Sequence, residues 1–148
     1  MMQAVIMAGG KGTRLAALTK DEIPKPMVPV AGKPLLLWQV ERLKENGITD
    51  IIMVIGHLGD KIKEYFGDGE KFGVSIRYFE ETEPLGTAGS FYYLKNMIHG
   101  DRFVMMSGDL FFDIDFQRMI HFHEEKGAVA TLFVHPNGHP FDSDLLVL

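Results

Sequence analysis

The sequence contains no cysteine, no block of basic residues and no long apolar run. Without cysteine there are no disulfides or thiolate metal sites, as is common in the cytoplasm. The net charge is −5, with acidic and basic residues interspersed, so we expect no nucleic-acid partner and no anionic membrane surface as partner. No apolar run approaches the roughly 18 residues of a membrane span, and no signal-peptide pattern begins the chain. We therefore expect a soluble, cytoplasmic protein.

Short apolar runs alternate with segments of helical period along the chain. The runs predict strands over residues 3–8, 51–55, 74–79, 103–106 and 128–134. The periodic segments predict helices after Pro34, around residues 62–66, over residues 88–97 and up to Gly127. This order predicts an α/β fold with an open, mostly parallel sheet and helices on both faces.

The length of 148 residues suits one domain spanning residues 1–148. The sequence ends in DSDLLVL, which resembles the beginning of a strand. We interpret the chain as truncated on its C-terminal side, and a C-terminal edge strand is the alternative.

Glycine is concentrated directly after the first predicted strand, and two basic residues, Lys11 and Arg14, lie in the same loop. Ligands of open α/β sheets bind at the carboxyl ends of the strands, and backbone N–H groups next to glycine can converge on an anion. The P-loop and Rossmann glycine patterns do not match here, and a plain glycine turn is the alternative. The candidate nucleotide-binding residues of this segment are Met7, Ala8, Gly9, Gly10, Lys11, Gly12 and Thr13.

The segment AGGKGTRLAALTKDEIPKPMVPVAGKPLL, residues 8–36, resembles the signature of the sugar-1-phosphate nucleotidylyltransferases. It departs from the family at Ala17, where many members carry proline. The resemblance implies a Rossmann-like fold of the nucleotide-diphospho-sugar transferase type. It also implies that a nucleoside triphosphate and a sugar 1-phosphate react and release pyrophosphate. In that reaction Arg14 would contact the leaving pyrophosphate, and Lys25 would contact the α-phosphate and the sugar phosphate.

A second segment, EETEPLGTAG over residues 80–89, resembles the part of the family that holds the base and ribose, which implicates Pro84, Gly86 and Thr87. Thr87 as a helix N-cap is an alternative compatible with ligand contact. Glu81 stands where uridylyl-transferring relatives usually carry glutamine. A carboxylate only accepts hydrogen bonds, and guanine presents two adjacent donors, so Glu81 favours GTP. Glu80 or Glu83 could be that acid instead, and simple solubilising charge is a further alternative.

The third segment, MMSGDLFFDID over residues 105–115, places Gly108 and Asp109 just after a predicted strand. The resemblance makes Asp109 the ligand of Mg²⁺, the expected cofactor, and a strand end holds a carboxylate stiffly. Asp113 and Asp115 are interpreted as turn and N-cap residues. No zinc site is assigned, because the spacing of the histidines does not favour one.

These segments together predict an enzyme that transfers GMP from GTP to mannose 1-phosphate or a manno-heptose 1-phosphate, with Arg14, Lys25 and Asp109 as catalytic residues. The alternatives are a uridylyl or thymidylyl transferase, a catalytically silent module that binds nucleotide-sugars, and a dinucleotide-dependent oxidoreductase, which the failed Rossmann pattern disfavours. The resemblance covers the nucleotide half of the family, so this chain alone could bind without catalysing. Residues 135–147 also resemble proteins in which a phosphatase domain follows. The sugar and the oligomeric state stay open.

Overall fold

A computed structural model describes residues 2–10, 22–83 and 85–136. The chain divides into two compact units, Met1–Ile114 and Asp115–Leu148. The elements of the first unit, in chain order, are β1 (Gln3–Met7), β2 (Pro29–Val30), β3 (Lys33–Pro34), α1 (Leu35–Glu45), β4 (Asp50–Ile55), α2 (Gly59–Phe66), β5 (Ser75–Glu80), α3 (Gly86–Leu94) and β6 (Phe103–Ser107). Short 3₁₀ turns occur at Lys25–Met27 and Glu70–Phe72.

Four of these strands form one parallel sheet in the order β5-β4-β1-β6, and β2 pairs with β3 in a separate antiparallel ribbon. The central strands β1 and β4 are almost entirely buried. Their uninterrupted apolar sequence is typical of parallel strands that are covered on both faces.

Helices cover both faces of the sheet. On one face α3 joins a buried cluster formed by Val5, Ile52, Val54 and Leu94. Successive strand residues point to opposite faces, so Ile55 lies on the other one. There the first residue of α2 packs tightly against it, since a Cβ at Gly59 would lie 2.9 Å from Cδ1 of Ile55. The expected open parallel sheet with helices on both faces is thereby confirmed.

The helices begin and end close to the predicted positions, with a difference in α3. This helix begins at Gly86 and ends at Leu94, whereas the sequence predicted residues 88–97. Leu85 occupies the N-cap position, so Thr87 is not the N-cap. None of the helices in the described part of the chain is long and apolar enough to cross a membrane.

The second unit contains α4 (Phe116–Lys126). The Asp115 side chain caps this helix by accepting a hydrogen bond from the Arg118 N–H at 2.9 Å. Gly127 ends it in the left-handed conformation at φ 56°. The N-cap interpretation of Asp115 is confirmed.

The strand predicted over residues 128–134 is absent from the structure, and this prediction is wrong. Val129 is fully exposed, and the relative exposure of Leu132 is 71%. A strand needs a neighbour whose N–H and C=O groups pair with its own. The described residues of the second unit include no other strand, so the apolar sequence alone does not form one.

Candidate active site

The carboxyl ends of β1, β4 and β6 lie side by side at one edge of the sheet. Met7 is in register with Val54 on one neighbouring strand and with Ser107 on the other. Beyond the strand, the Ala8 N–H donates to the Val54 carbonyl at 2.7 Å, and the Gly108 N–H donates to the Met7 carbonyl at 2.8 Å. These bonds fix the first residues of two loops that the sequence singled out.

Glycine allows the backbones of these loops to approach closely. A Cβ at Gly56 would lie 2.9 Å from the Gly9 carbonyl oxygen, closer than ordinary packing permits. A Cβ at Gly108 would lie 3.2 Å from the Cβ of Ala8. The next residue, Gly10, is exposed, and a Cβ added there would meet no heavy atom of the described residues within 4 Å. The edge is thus closely packed at Gly9 and, as far as the described residues show, open at Gly10.

Lys25 and Asp109 form an ion pair at this edge, although they are far apart in the sequence. Lys25 lies in the 3₁₀ turn Lys25–Met27, where the flanking Pro24 and Pro26 restrict the backbone. The relative exposures of the two side chains are 28% and 30%, so both reach solvent and are accessible to a ligand. The structure therefore brings together two of the three predicted catalytic residues.

The Asp109 carboxylate is held in its ionised form. Partial burial raises its pKa, but hydrogen bonds from Lys25 and Ser107 and the charge of Lys25 outweigh burial and lower the pKa below its ordinary value. The Ser107 hydroxyl donates to Oδ1 at 2.5 Å, and Lys25 binds Oδ2. Asp109 is thus an oriented anion at the end of β6.

This arrangement fits the carboxylate ligand of Mg²⁺. Mg²⁺ needs only one or two carboxylates and takes its other ligands from water and phosphate oxygens. Asp109 is ionised, partly exposed and fixed by Ser107, as such a ligand must be. The described residues contain no cluster of three or more histidine, aspartate or glutamate side chains that could enclose a metal ion without phosphate.

Glu81 lies beside the loop that follows β1. Its N–H donates to the Ile55 carbonyl at 2.8 Å, which fixes its backbone next to β4. Its Oε1 accepts a hydrogen bond from the fully buried Ser90 hydroxyl. Its Oε2 lies 3.1 Å from the position of a Cβ at Gly9. The carboxylate is therefore half-buried, oriented and close to the glycine loop.

The neighbouring acids are placed differently. Glu80 forms an exposed ion pair with Lys63 at 2.6 Å, and Glu83 is exposed. Of these three carboxylates, the contact with the glycine loop belongs to Glu81. The geometry thus favours Glu81 over the other two acids for contact with a base.

Other predicted site residues are placed only in part. Lys11, Gly12, Thr13, Arg14 and Pro84 lie outside the described residues. The backbone of Gly86 and Thr87 forms the first turn of α3. Asp113 forms an ion pair with Arg42 at 2.6 Å, and it lies outside the turn at residues 108–109, so its interpretation as a turn residue is not confirmed.

The structure adds Gly56, Ser90 and Ser107 to the site. A sequence signal existed for Gly56, which directly follows an apolar run, and for Ser107, which precedes the Gly-Asp pair. Ser90 gives no local signal, because its contact with Glu81 depends on how α3 packs against the end of β5.

Comparison with known proteins identifies the family. The family model described as Nucleotidyl transferase matches residues 3–142. The chain is 44% identical over 129 residues to D-glycero-alpha-D-manno-heptose 1-phosphate guanylyltransferase of Campylobacter jejuni, covering 87% of this chain and 57% of that protein. It is 39% identical over 142 residues to UTP--glucose-1-phosphate uridylyltransferase of Synechocystis, covering 88% of this chain and 36% of that protein.

The crystal structure of HddC from Yersinia pseudotuberculosis complexed with GMP-PN has the same fold, with a TM-score of 0.74 and 33% identity. The match covers 83% of this chain and 54% of that one. This chain thus spans about half the length, or less, of most of these relatives. The family model, the sequence relatives and the shared fold together establish that the chain belongs to the nucleotidyl transferase family.

Proposed function

We propose that this protein transfers GMP from GTP to a sugar 1-phosphate of the mannose or manno-heptose type, giving a nucleotide-sugar and pyrophosphate. The observation that carries the proposal is the Lys25–Asp109 pair at the carboxyl edge of the sheet, next to the glycine loop. It supplies both charge types that the reaction needs, a cation for phosphate oxygens and a carboxylate for Mg²⁺.

The chemistry is a displacement at the α-phosphorus. A phosphate oxygen of the sugar 1-phosphate forms the new P–O bond, the bond to the bridging oxygen of the β-phosphate breaks, and pyrophosphate leaves. Both reactants are polyanions, so the barrier is largely electrostatic and positional. Lys25 would neutralise oxygens around the α-phosphorus, and the loop at Gly9 and Gly10 would hold the phosphates through backbone N–H groups.

Asp109 would hold Mg²⁺ in this account. When bound, Mg²⁺ supplies positive charge to the phosphate oxygens. Asp109 contributes a carboxylate that is already ionised and oriented by Ser107, so that little reorganisation is needed on binding. Arg14 is the proposed contact of the leaving pyrophosphate.

The choice of GTP depends on Glu81. Its carboxylate is fixed beside Gly9, and an ionised carboxylate can accept from the two adjacent N–H donors of guanine. The guanylyltransferase relative supports this choice. The second candidate is transfer of UMP or dTMP, which the similarity to a uridylyltransferase favours.

Pyrophosphate release tests the proposal directly. The protein is incubated with Mg²⁺, each of GTP, UTP and dTTP, and each of mannose, manno-heptose and glucose 1-phosphate. We expect fastest release with GTP and a manno-configured acceptor. Faster release with UTP would contradict the base assignment, and nucleotide binding without any release would favour the silent binding module.

Asp109→Asn provides the site control, because it removes the charge while keeping the shape. We expect it to abolish Mg²⁺-dependent release. Asp113→Asn is the matched variant, since Asp113 is an exposed carboxylate of the same loop whose surface ion pair contributes little. Equal rates in the two variants would contradict the role of Asp109.

A further inference from the structure

Gln39 of α1 is a buried amide that contacts the turn carrying Asp109. Its relative exposure is 2%. Its Nε2 donates to the Ser107 carbonyl at 3.0 Å and to the Leu110 carbonyl at 2.6 Å. These two carbonyls lie on either side of Asp109 in the sequence, so a single side chain connects the end of β6 with the residue after the carboxylate.

The orientation of this amide follows from its partners. Both are carbonyl oxygens, which only accept hydrogen bonds, so the nitrogen must face them. Oε1 is buried and has no hydrogen-bond partner in the described part of the chain. An unpaired buried oxygen costs free energy, and a fully apolar side chain would avoid that cost. Among the described residues, the hydrogen bonds of this amide are thus those to the two carbonyls.

The turn that carries Asp109 leads into a loop that also contacts α1, through the ring contact of Trp38 with Phe111 and the ion pair of Arg42 with Asp113. Residues 108–112 form no helix or strand. The N–H of Gly108 connects the turn to β1 by donating to the Met7 carbonyl. The carbonyls of Ser107 and Leu110 connect the turn to α1 by accepting from Gln39. Asp109 lies between these two attachments, so the direction of its carboxylate depends on both.

We infer that Gln39 is a positioning residue, which fixes the 107–110 turn so that Asp109 meets the divalent cation carried by a nucleoside triphosphate. The inference rests on the proposed function of Asp109. Partners of metal ligands in general act this way, and their loss typically weakens metal binding about 10- to 100-fold.

Gln3 offers a matched control. It is also a buried amide, with a relative exposure of 1%. Its Nε2 donates to Asp50 at 2.7 Å and its Oε1 accepts from the His99 N–H. It lies at the amino end of β1, opposite to the edge that carries Asp109. Replacing it removes as many hydrogen bonds from the core without touching the turn.

The experiment compares Gln39→Met, Gln3→Met and Asp109→Asn with the wild-type chain. Free Mn²⁺ is followed by electron paramagnetic resonance in the presence of GTP, and GTP affinity is measured separately without metal. We expect Gln39→Met to weaken Mn²⁺ binding about 10- to 100-fold and to leave metal-free GTP affinity within about twofold. Gln3→Met should leave both affinities within about twofold, and Asp109→Asn should weaken Mn²⁺ binding at least as much as Gln39→Met.

The other outcomes overturn either the positioning role of Gln39 or the proposed metal site at Asp109. Unchanged Mn²⁺ binding in Gln39→Met, with a loss in Asp109→Asn, overturns the positioning role alone. A parallel loss of metal and nucleotide affinity in both glutamine variants shows a merely structural role and also overturns it. Unchanged binding in Asp109→Asn overturns the proposed metal site and the inference with it. If Gln39→Met does not fold, Gln39→Asn replaces it, because the shorter amide cannot reach both carbonyls.

Discussion

At the scale of single residues, Lys25 and Asp109 are opposite charges 84 positions apart that meet at one edge of the sheet. Among the described residues each is the ionic partner of the other, and both stay partly exposed. In the proposed reaction a nucleotide with its metal ion would offer each of them a new partner, phosphate oxygen for the ammonium group and Mg²⁺ for the carboxylate. The two charges of the pair therefore neutralise each other in the structure.

This pairing predicts how stability depends on pH. The pKa of Asp109 in the folded chain is lowered from 3.8, so its contribution to stability is fully present above pH 3.8. As the pH falls below that value, Asp109 becomes protonated in the unfolded chain before it does in the folded chain. Its contribution to stability therefore decreases, and it is lost once the pH falls through the lower pKa of the folded chain. Lys25→Met removes the partner that lowers the pKa. We expect the loss of stability in acid to be less steep, as measured by urea denaturation between about pH 5 and pH 2. A slope equal to that of the wild type would contradict the pairing.

Replacement of Glu81 is expected to change the preference for the nucleotide base. Glu81→Gln removes the charge and adds a donor, so it should weaken GTP binding about 10- to 100-fold, the usual effect of losing a charged hydrogen bond. UTP binding should be unchanged or tighter. Competition between the two nucleotides measures the ratio, and Glu83→Gln, an exposed acid of the same segment, is the control. An unchanged ratio in Glu81→Gln would remove the argument for guanine.

At the scale of elements, the strands that the sequence predicted correctly are those with neighbours. Residues 51–55 form a strand because β1 and β5 pair with both of its sides. Residues 128–134 have similar apolar content and form none.

Lys25 and Asp109 were each predicted from local motifs, but their ion pair was not. The contacts of Ser90 and Gln39 were also missed, because they arise from helix packing that no local pattern encodes.

Close packing of β1 against β4 predicts different effects for two glycines. Gly56→Ala places a Cβ 2.9 Å from the Gly9 carbonyl oxygen, so one backbone must move. We expect a loss of about 1–3 kcal/mol in the free energy of unfolding, measured in urea. The Cβ of Gly10→Ala meets no atom of the described chain within 4 Å, so this variant should change stability by less than about 0.5 kcal/mol. Equal stabilities of the two variants would contradict this packing.

Tyr78 of β5 is expected to affect how the stability of the fold changes at alkaline pH. Its hydroxyl donates to the Gly67 carbonyl at 2.6 Å, just after α2. Burial, together with the nearby charge of Asp68, raises its pKa from 10.0 to about 12. Its contribution to stability is therefore complete below pH 10 and lost as the pH rises through about 12. Tyr78→Phe should flatten the stability profile over that range in thermal unfolding experiments. A profile as steep as the wild type would contradict this account.

At the scale of the whole molecule, the two ends of the parallel sheet have different roles. At the amino end, Asp50 accepts from Gln3 at 2.7 Å and from Arg77 at 3.1 Å, and Arg77 also donates to the Met97 carbonyl at 3.0 Å. These bonds connect β1, β4 and β5 with the segment that precedes β6. At the carboxyl end the backbones at Gly9, Gly56 and Gly108 pack closely, whereas Gly10 is exposed and the side chains of Lys25 and Asp109 are partly exposed. Side-chain hydrogen bonds thus connect the strands at the amino end, and the proposed site lies at the carboxyl end.

Calorimetric titration of the chain with GTP and with UTP, each with Mg²⁺, tests both the nucleotide preference and the proposed site. We expect GTP to bind more tightly than UTP, and Lys25→Met and Asp109→Asn each to weaken this binding. Tighter binding of UTP would contradict the guanine assignment. Nucleotide binding that neither substitution affects would contradict the site at the carboxyl edge of the sheet.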